Sequence, residues 1–125
     1  MALLKQFGKA FNRGDLAAVL ECVTEDFEWR LPSGPDAPHG RIVRGKADVA
    51  AVLRERQREY RDMRFSETEV FIAGARVFGT YRAQGVHVSG ATIDVRGIDA
   101  YVMRDGKIAV KDSYWKHIEA GPAAG

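Results

Sequence analysis

At 125 residues, with 46% hydrophobic and 29% charged side chains, the chain has room for one domain that buries roughly two-thirds of the surface its unfolded form exposes. A formal net charge of +2, with basic residues scattered rather than clustered, excludes the electrostatic footprint of a nucleic-acid binder. Cys22 is the only cysteine, which rules out an intrachain disulfide and a cysteine-rich metal site and reads as a small apolar residue in a helix.

The opening "MALLKQFGKAFNRGD" lacks the uninterrupted apolar run of a signal peptide, and no stretch approaches the roughly 18 apolar residues of a spanning helix. The expectation is a cytoplasmic protein. Leu3, Leu4, Phe7, Ala10 and Phe11 recur at helical spacing and predict an amphipathic helix over 2–11. Gly14 stops it. Asp15 is placed to cap a second helix whose face is Leu16, Val19, Leu20 and Val23. "FEWRL", residues 27–31, alternates like a short strand, and "PSGPDAPHG" after it holds three of the four prolines and reads as a loop. Residues 45–60 form the strongest helix, with a stripe of Val49, Val52, Leu53 and Tyr60 against a face dense in Arg and Glu. Everything after it reads as sheet: 64–73, 75–87, 91–104 and 107–118 are rich in β-branched and aromatic residues, separated by turn signals. Gly79, Gly85 and Gly97 are where such long strands could bend, and the end of the chain reads as a flexible tail over 119–125.

Turn chemistry sets the expected registers. A three-residue loop Arg104–Gly106 would pair Met103 with Lys107 and put Asp99 opposite Lys111. A two-residue turn at Ser89 and Gly90 would put Asp99 opposite Thr80 and Gly97 opposite Arg82. One face would then carry Phe78, Thr80, Arg82, Val95, Asp99, Tyr101, Lys111, Ser113 and Trp115. The other would carry Ile98, Ala100, Val102, Ile108 and Val110, an apolar set suited to dimerisation. Asp112, next to Lys111, should point outward by alternation.

From "FGKAFNRGDLAAVLECVTEDFEW" through "VRGKADVAAVL" to "VRGIDAYVMRDGKIAVKDSYWK" the chain resembles the nuclear transport factor 2-like superfamily, and within it the SnoaL-like branch that includes polyketide cyclases and ketosteroid isomerase. The resemblance implies a single SnoaL-like domain over 1–125 of α+β class, a cone-shaped nuclear transport factor 2-like fold. Three N-terminal helices would pack on a curved antiparallel sheet and enclose a pocket, in a protein that is often a homodimer. Fold alone argues weakly for any one reaction. Asp99 falls where ketosteroid isomerase keeps a protonated aspartic acid that donates to an oxyanion, and Trp115 matches a pocket tryptophan of that enzyme. Its catalytic tyrosine, however, aligns with Phe7 and its general-base aspartate with Leu31, so that mechanism is not expected here. Limonene-epoxide hydrolase uses an aspartate that aligns with Ser113, and no Arg-x-Asp pair occurs in 75–87 to complete its site.

What remains is a polar cluster of Asp99, Lys111, Arg82, Ser113 and Thr80, with Trp115, Tyr101, Trp29, Phe7 and Phe11 as walls. An aspartate beside two cations reads as a base or a counter-ion, not an acid. Asp99 and Lys111 are the candidate catalytic pair, or else a cross-strand ion pair. Trp29, Arg82, Tyr101, Ser113, Trp115, Phe7 and Phe11 are the candidate ligand-binding residues. His39 could lie at a pocket mouth, while His87 and His117 lack metal-ligand spacing, so neither a metal nor a cofactor is expected. The functional expectation is cofactor-free acid–base chemistry of isomerase, cyclase or lyase type on an apolar carbonyl or polyketide-like compound. The alternatives are a module that binds a small apolar or weakly acidic molecule without transforming it, and a dimeric scaffold with a vestigial pocket.

Overall fold

A computed structural model describes residues 2–119; the tail expected over 119–125 lies outside them from residue 120 on. Helix α1 (Ala2–Arg13) buries Leu4, Phe7 and Ala10, the stripe its spacing predicts. Gly14, at φ 67°, ends it in the left-handed conformation, and the Asp15 amide reaches back to the Ala10 carbonyl at 2.9 Å. Asp15 then caps α2 (Leu16–Glu21), its carboxylate accepting from the Ala18 amide at 3.2 Å. Strand β1 (Val23–Leu31) alternates Phe27, Trp29 and Leu31 into the core. After the proline-rich loop, β2 (Arg41–Arg44) pairs antiparallel with β1, a strand the sequence reading does not contain. Helix α3 (Lys46–Glu59) buries Val49, Ala50, Val52 and Leu53.

The meander follows as β3 (Tyr60–Ala73), β4 (Arg76–His87), β5 (Thr92–Arg104) and β6 (Lys107–Trp115). The six strands form one sheet in the order β2-β1-β6-β5-β4-β3. Every neighbouring pair is antiparallel except β1 and β6, which run parallel. The helices lie against one face of this sheet, and the core forms between them from Leu4, Phe7, Val19, Phe27, Val49 and Ile108 among others. This is the α+β arrangement, helices packed on one face of a single sheet, that the resemblance implies.

Both hairpin registers differ from expectation, with different consequences. Between β5 and β6 the turn has two residues, Asp105 and Gly106, at φ 53° and 75°, the positive-φ pair of a type I′ turn. A bulge between Val102 and Met103 follows, and Asp99 pairs with Ser113 while Tyr101 pairs with Lys111. That is a slip of two residues, so Asp99 and Lys111 keep the expected face. Ile108 does not: on the turn side of the bulge it faces inward and is fully buried, not in the outer apolar set. Between β4 and β5 the loop takes one residue more than expected, because the Val88 amide is captured by the Glu59 carbonyl at 2.7 Å and Gly90, at φ 94°, closes onto His87. That slip of one inverts the face of β4. Asp99 stands opposite Gly79, Gly97 opposite Tyr81, and Val77, Tyr81 and Ala83 are buried while Phe78, Thr80 and Arg82 point outward.

The β4–β5 pairing runs unbroken from Arg76 to Val86, while the β3–β4 ladder shifts register between Arg61 and Arg64, opposite Gly85, and between Ser66 and Glu69, where Asp62 and Glu67 take φ values of 55° and 52°. Gly97 is needed for space: a β-carbon there would stand 2.8 Å from the Tyr81 ring and 2.9 Å from the Trp115 ring.

Candidate functional site

On the helix-facing side of the sheet, three adjacent strands place Tyr81, then Asp99 and Tyr101, then Lys111, Ser113 and Trp115 side by side. Asp99, Lys111 and Ser113 are the buried polar residues of the described chain, at 5%, 7% and 6% exposure. Each Asp99 oxygen accepts from a tyrosine: the Tyr81 hydroxyl donates to Oδ1 at 2.8 Å and the Tyr101 hydroxyl to Oδ2 at 3.1 Å. Lys111 Nζ lies 3.6 Å from Oδ2 and donates to Ser113 Oγ at 3.3 Å. Trp115 Nε1 donates to the Tyr81 hydroxyl at 2.9 Å. A buried carboxylate is tolerated only with this density of partners.

Burial pushes the Tyr81 and Tyr101 hydroxyls well above the usual tyrosine range, and the adjacent Asp99 adds to it, so both keep their protons and remain donors. Burial holds Lys111 below the usual lysine range; Asp99 opposes this and the nearby Arg56 charge reinforces it. Lys111 also sits over aromatic faces, its Nζ 4.7 Å from the centre of Phe11 and 5.3 Å from that of Trp29.

Three cavities adjoin this cluster. A small one of about 90 Å³ touches Asp99, Tyr101, Lys111 and Phe7 directly. A larger one of about 450 Å³ lies between α1, α2, α3 and β3, lined by Leu16, Val19, Leu53 and Met63. Phe11, Asn12 and Phe65 line both and form the wall between them. That wall is pinned: Asn12 Nδ2 donates to the Phe65 carbonyl at 3.2 Å, its Oδ1 accepts from the Phe65 amide at 2.9 Å, and the Phe11 and Phe65 rings meet edge to face at 5.5 Å. An outer cleft of about 730 Å³ opens beyond Arg56 and Tyr60, which line it together with the middle cavity, and it reaches Trp115 and His117.

The structure thus brings together Asp99, Lys111, Tyr101, Ser113, Trp115, Trp29, Phe7 and Phe11. It does not bring in Arg82 or Thr80. Arg82 lies on the opposite face with both guanidinium edges engaged: Nε and Nη2 donate to Asp94 at 2.8 Å each, and Nη1 lies 3.4 Å from Glu67. The cause is the single-residue slip of β4. The place expected for Arg82 belongs to Tyr81, which sequence reasoning missed because "RVFGTYRA" carries large residues on both alternating sets. Arg56 was missed as well, although it falls three residues after Leu53 and four before Tyr60, on the continuation of the buried stripe of α3. His39 sits in the loop with its amide bonded to the Asp36 carbonyl, and His87 bonds Ser89 in the β4–β5 turn. Among the described residues no three His, Cys, Asp or Glu side chains converge as metal ligands would.

Residues 4–111 match the family model of the SnoaL-like domain, and the chain belongs to that family. Among solved structures it is similar to a candidate polyketide cyclase from Xanthomonas campestris pv. campestris, with 28% identity over 92% of this chain and 88% of that one and a TM-score of 0.80. A candidate polyketide cyclase from Pseudomonas putida KT2440 shares 25% identity over 91% and 89%, with a TM-score of 0.80. A nuclear transport factor 2-like protein from Burkholderia xenovorans LB400 shares 27% identity over 92% and 87%, with a TM-score of 0.78. No curated protein matches the sequence significantly. Among the described residues no helix is long and apolar enough to cross a membrane.

Proposed function

We propose that this chain handles a small apolar carbonyl or polyketide-like compound by cofactor-free acid–base chemistry, with Asp99 as proton acceptor and Lys111 as the cation that stabilises developing negative charge. The carrying observation is that Asp99 is buried among aromatic rings yet presents both oxygens as acceptors to Tyr81 and Tyr101. A proton leaving a carbon next to the substrate carbonyl would pass to Asp99, and the resulting enolate oxygen would be held by Lys111. Tyr101, Ser113 and Trp115 position the pair, and Trp29, Phe7 and Phe11 supply its apolar walls. The likeness to candidate polyketide cyclases supports this substrate class.

Asp99→Asn tests it. The change keeps the shape of the side chain but leaves the buried Lys111 without its counter-ion and replaces one acceptor oxygen with an amide donor, so it should cost about 3 kcal/mol of stability, and turnover is compared on protein shown to be folded. Turnover of whichever ketone, lactone or aromatic acid a thermal-shift screen selects should fall about a hundredfold or more. A folded Asp99→Asn protein that turns the compound over like the parent would remove Asp99 from the chemistry.

A second reading, a binding module without turnover, is favoured by one observation: the space beside Asp99 is only about 90 Å³, below the roughly 300 Å³ of a typical small-molecule site. On that reading the ligand stays in the middle cavity and never reaches the aspartate, and Asp99→Asn alters neither affinity nor any product. Homodimerisation through the outer sheet face and a cytoplasmic location belong to either reading. Ile98, Val102 and Tyr114 are exposed there, at 37%, 36% and 55%. Sedimentation equilibrium at micromolar concentration should show twice the 13.8 kDa chain mass; a single species at that mass would refute the dimer.

A further inference from the structure

Arg56 is half-buried on α3, and its guanidinium lies against three aromatic faces, 5.0 Å from the centre of Tyr60 and 5.9 Å from those of Trp29 and Trp115. Among the described residues it makes no hydrogen bond and no ion pair. Its acidic neighbours are otherwise placed: Glu55 faces Arg41 at 3.3 Å, and Glu59 approaches no nearer than a through-space influence. A guanidinium is a planar fork of five donors, and enclosing one without an acceptor costs free energy that aromatic stacking only partly offsets. Two further donors stand on the same ring system: the buried Trp29 Nε1 has no acceptor, and Lys111 Nζ lies over the Trp29 face. Arg56 and Lys111 together carry two positive charges around these rings against the one negative charge of Asp99, while the other charged residues lining the cavity and the cleft, Arg13, Arg41 and Lys116 against Asp62, Asp94 and Glu119, balance one another.

The position of Arg56 gives this excess a use. It lines both the cavity of about 450 Å³ and the outer cleft, and so stands at the junction through which a molecule entering from the cleft would pass. The cavity is of a size to hold a bicyclic aromatic body against Phe11, Leu53 and Phe65. We propose that Arg56 is the anchor for the carboxylate of an aromatic or polyketide-like acid, held at the junction of cavity and cleft with the apolar body of the ligand pointing into the cavity, against Phe11 and Phe65. A carboxylate matches the guanidinium fork with two parallel hydrogen bonds and neutralises the excess charge, whereas a neutral carbonyl does neither. The proposal rests on the reading that this cavity holds a small molecule and adds what that molecule must carry.

The test compares 2-naphthoate with 2-naphthamide, a neutral isostere, by isothermal titration calorimetry on the full chain. The parent should bind the acid about 10-fold or more tightly than the amide, as a charge-assisted pair implies. Arg56→Met, which keeps an apolar stem among the rings, should bring the two affinities together. Arg56→Lys should retain part of the preference. Equal affinities in the parent, which needs no variant to fold, overturn the proposal while leaving a small-molecule cavity in place. A preference that survives Arg56→Met also overturns it. If neither probe binds the parent, the anchor and the cavity reading fall together.

Discussion

Two of the sheet's ion pairs, Arg82–Asp94 on the outer face and Lys111–Asp99 on the inner, invert the usual relation between closeness and importance. On the outer face Arg82 and Asp94 meet through two hydrogen bonds of 2.8 Å with side chains 39% and 54% exposed. On the inner face Lys111 and Asp99 stand farther apart, at 3.6 Å, but are only 8% and 6% exposed. The outer pair has the better geometry and the lesser consequence, because water solvates each partner as well as the other partner does. The inner pair has nothing to replace a lost partner, so its value lies in the cost of breaking it.

The largest effect that would break or sharpen this comparison is expected from Lys111→Met. Stranding Asp99 beside two tyrosines should cost about 3–5 kcal/mol, and the double variant Asp99→Asn/Lys111→Met should cost less than the sum of the singles. Urea melts that return additive losses would show that the two side chains do not act as a pair. Gly97→Ala comes next. The new methyl would press on the Tyr81 and Trp115 rings, which stand 2.8 and 2.9 Å from it, and overpacking of this kind costs about 1–3 kcal/mol; an unchanged melting curve would mean that the rings have room to move. The third concerns pH. Lys111 titrates below its ordinary 10.5 in the folded state, so between the two values the unfolded chain binds a proton that the native chain does not. Stability of the parent should therefore rise with pH through that window relative to Lys111→Met. Parallel profiles for the two proteins would argue that Lys111 is not desolvated. The smallest effect is Arg82→Ala, which should leave the thermal midpoint in place and abolish no activity; a clear loss of either would give the outer pair a standing its exposure does not predict.

How far the site was legible follows from parity. The β5–β6 turn slipped the register by one and the bulge after it by one more, a total of two that left Asp99 and Lys111 on the face that alternation assigned them, whereas the β4–β5 turn alone slipped it by one and exchanged Tyr81 for Arg82. The deciding contact for the second, Val88 held by the Glu59 carbonyl, joins residues far apart in sequence, and no local turn rule contains it. Helix caps were readable because Gly14 and Asp15 act within a few residues of themselves. The strand β2 was not, because Arg41–Arg44 becomes a strand only by pairing with β1. Arg56 was legible in principle: an arginine on the buried stripe of a helix is the exception that marks a site, and it was hidden by the arginines around it on the solvated face.

The hydrogen-bonded series Trp115–Tyr81–Asp99 has a fixed sense. A chain built of hydroxyls and water can reverse, each member turning to donate where it accepted. An indole N–H has no lone pair to offer and can only donate. With Trp115 at its head, the Tyr81 oxygen accepts from the indole and its own proton is donated to Asp99. The aspartate is thereby committed to accepting before any ligand arrives. Its remaining lone pairs select for partners that bring a proton of their own, such as an enol, a phenol or an amide N–H. A compound that presents only acceptors towards Asp99 would meet a site already facing the wrong way.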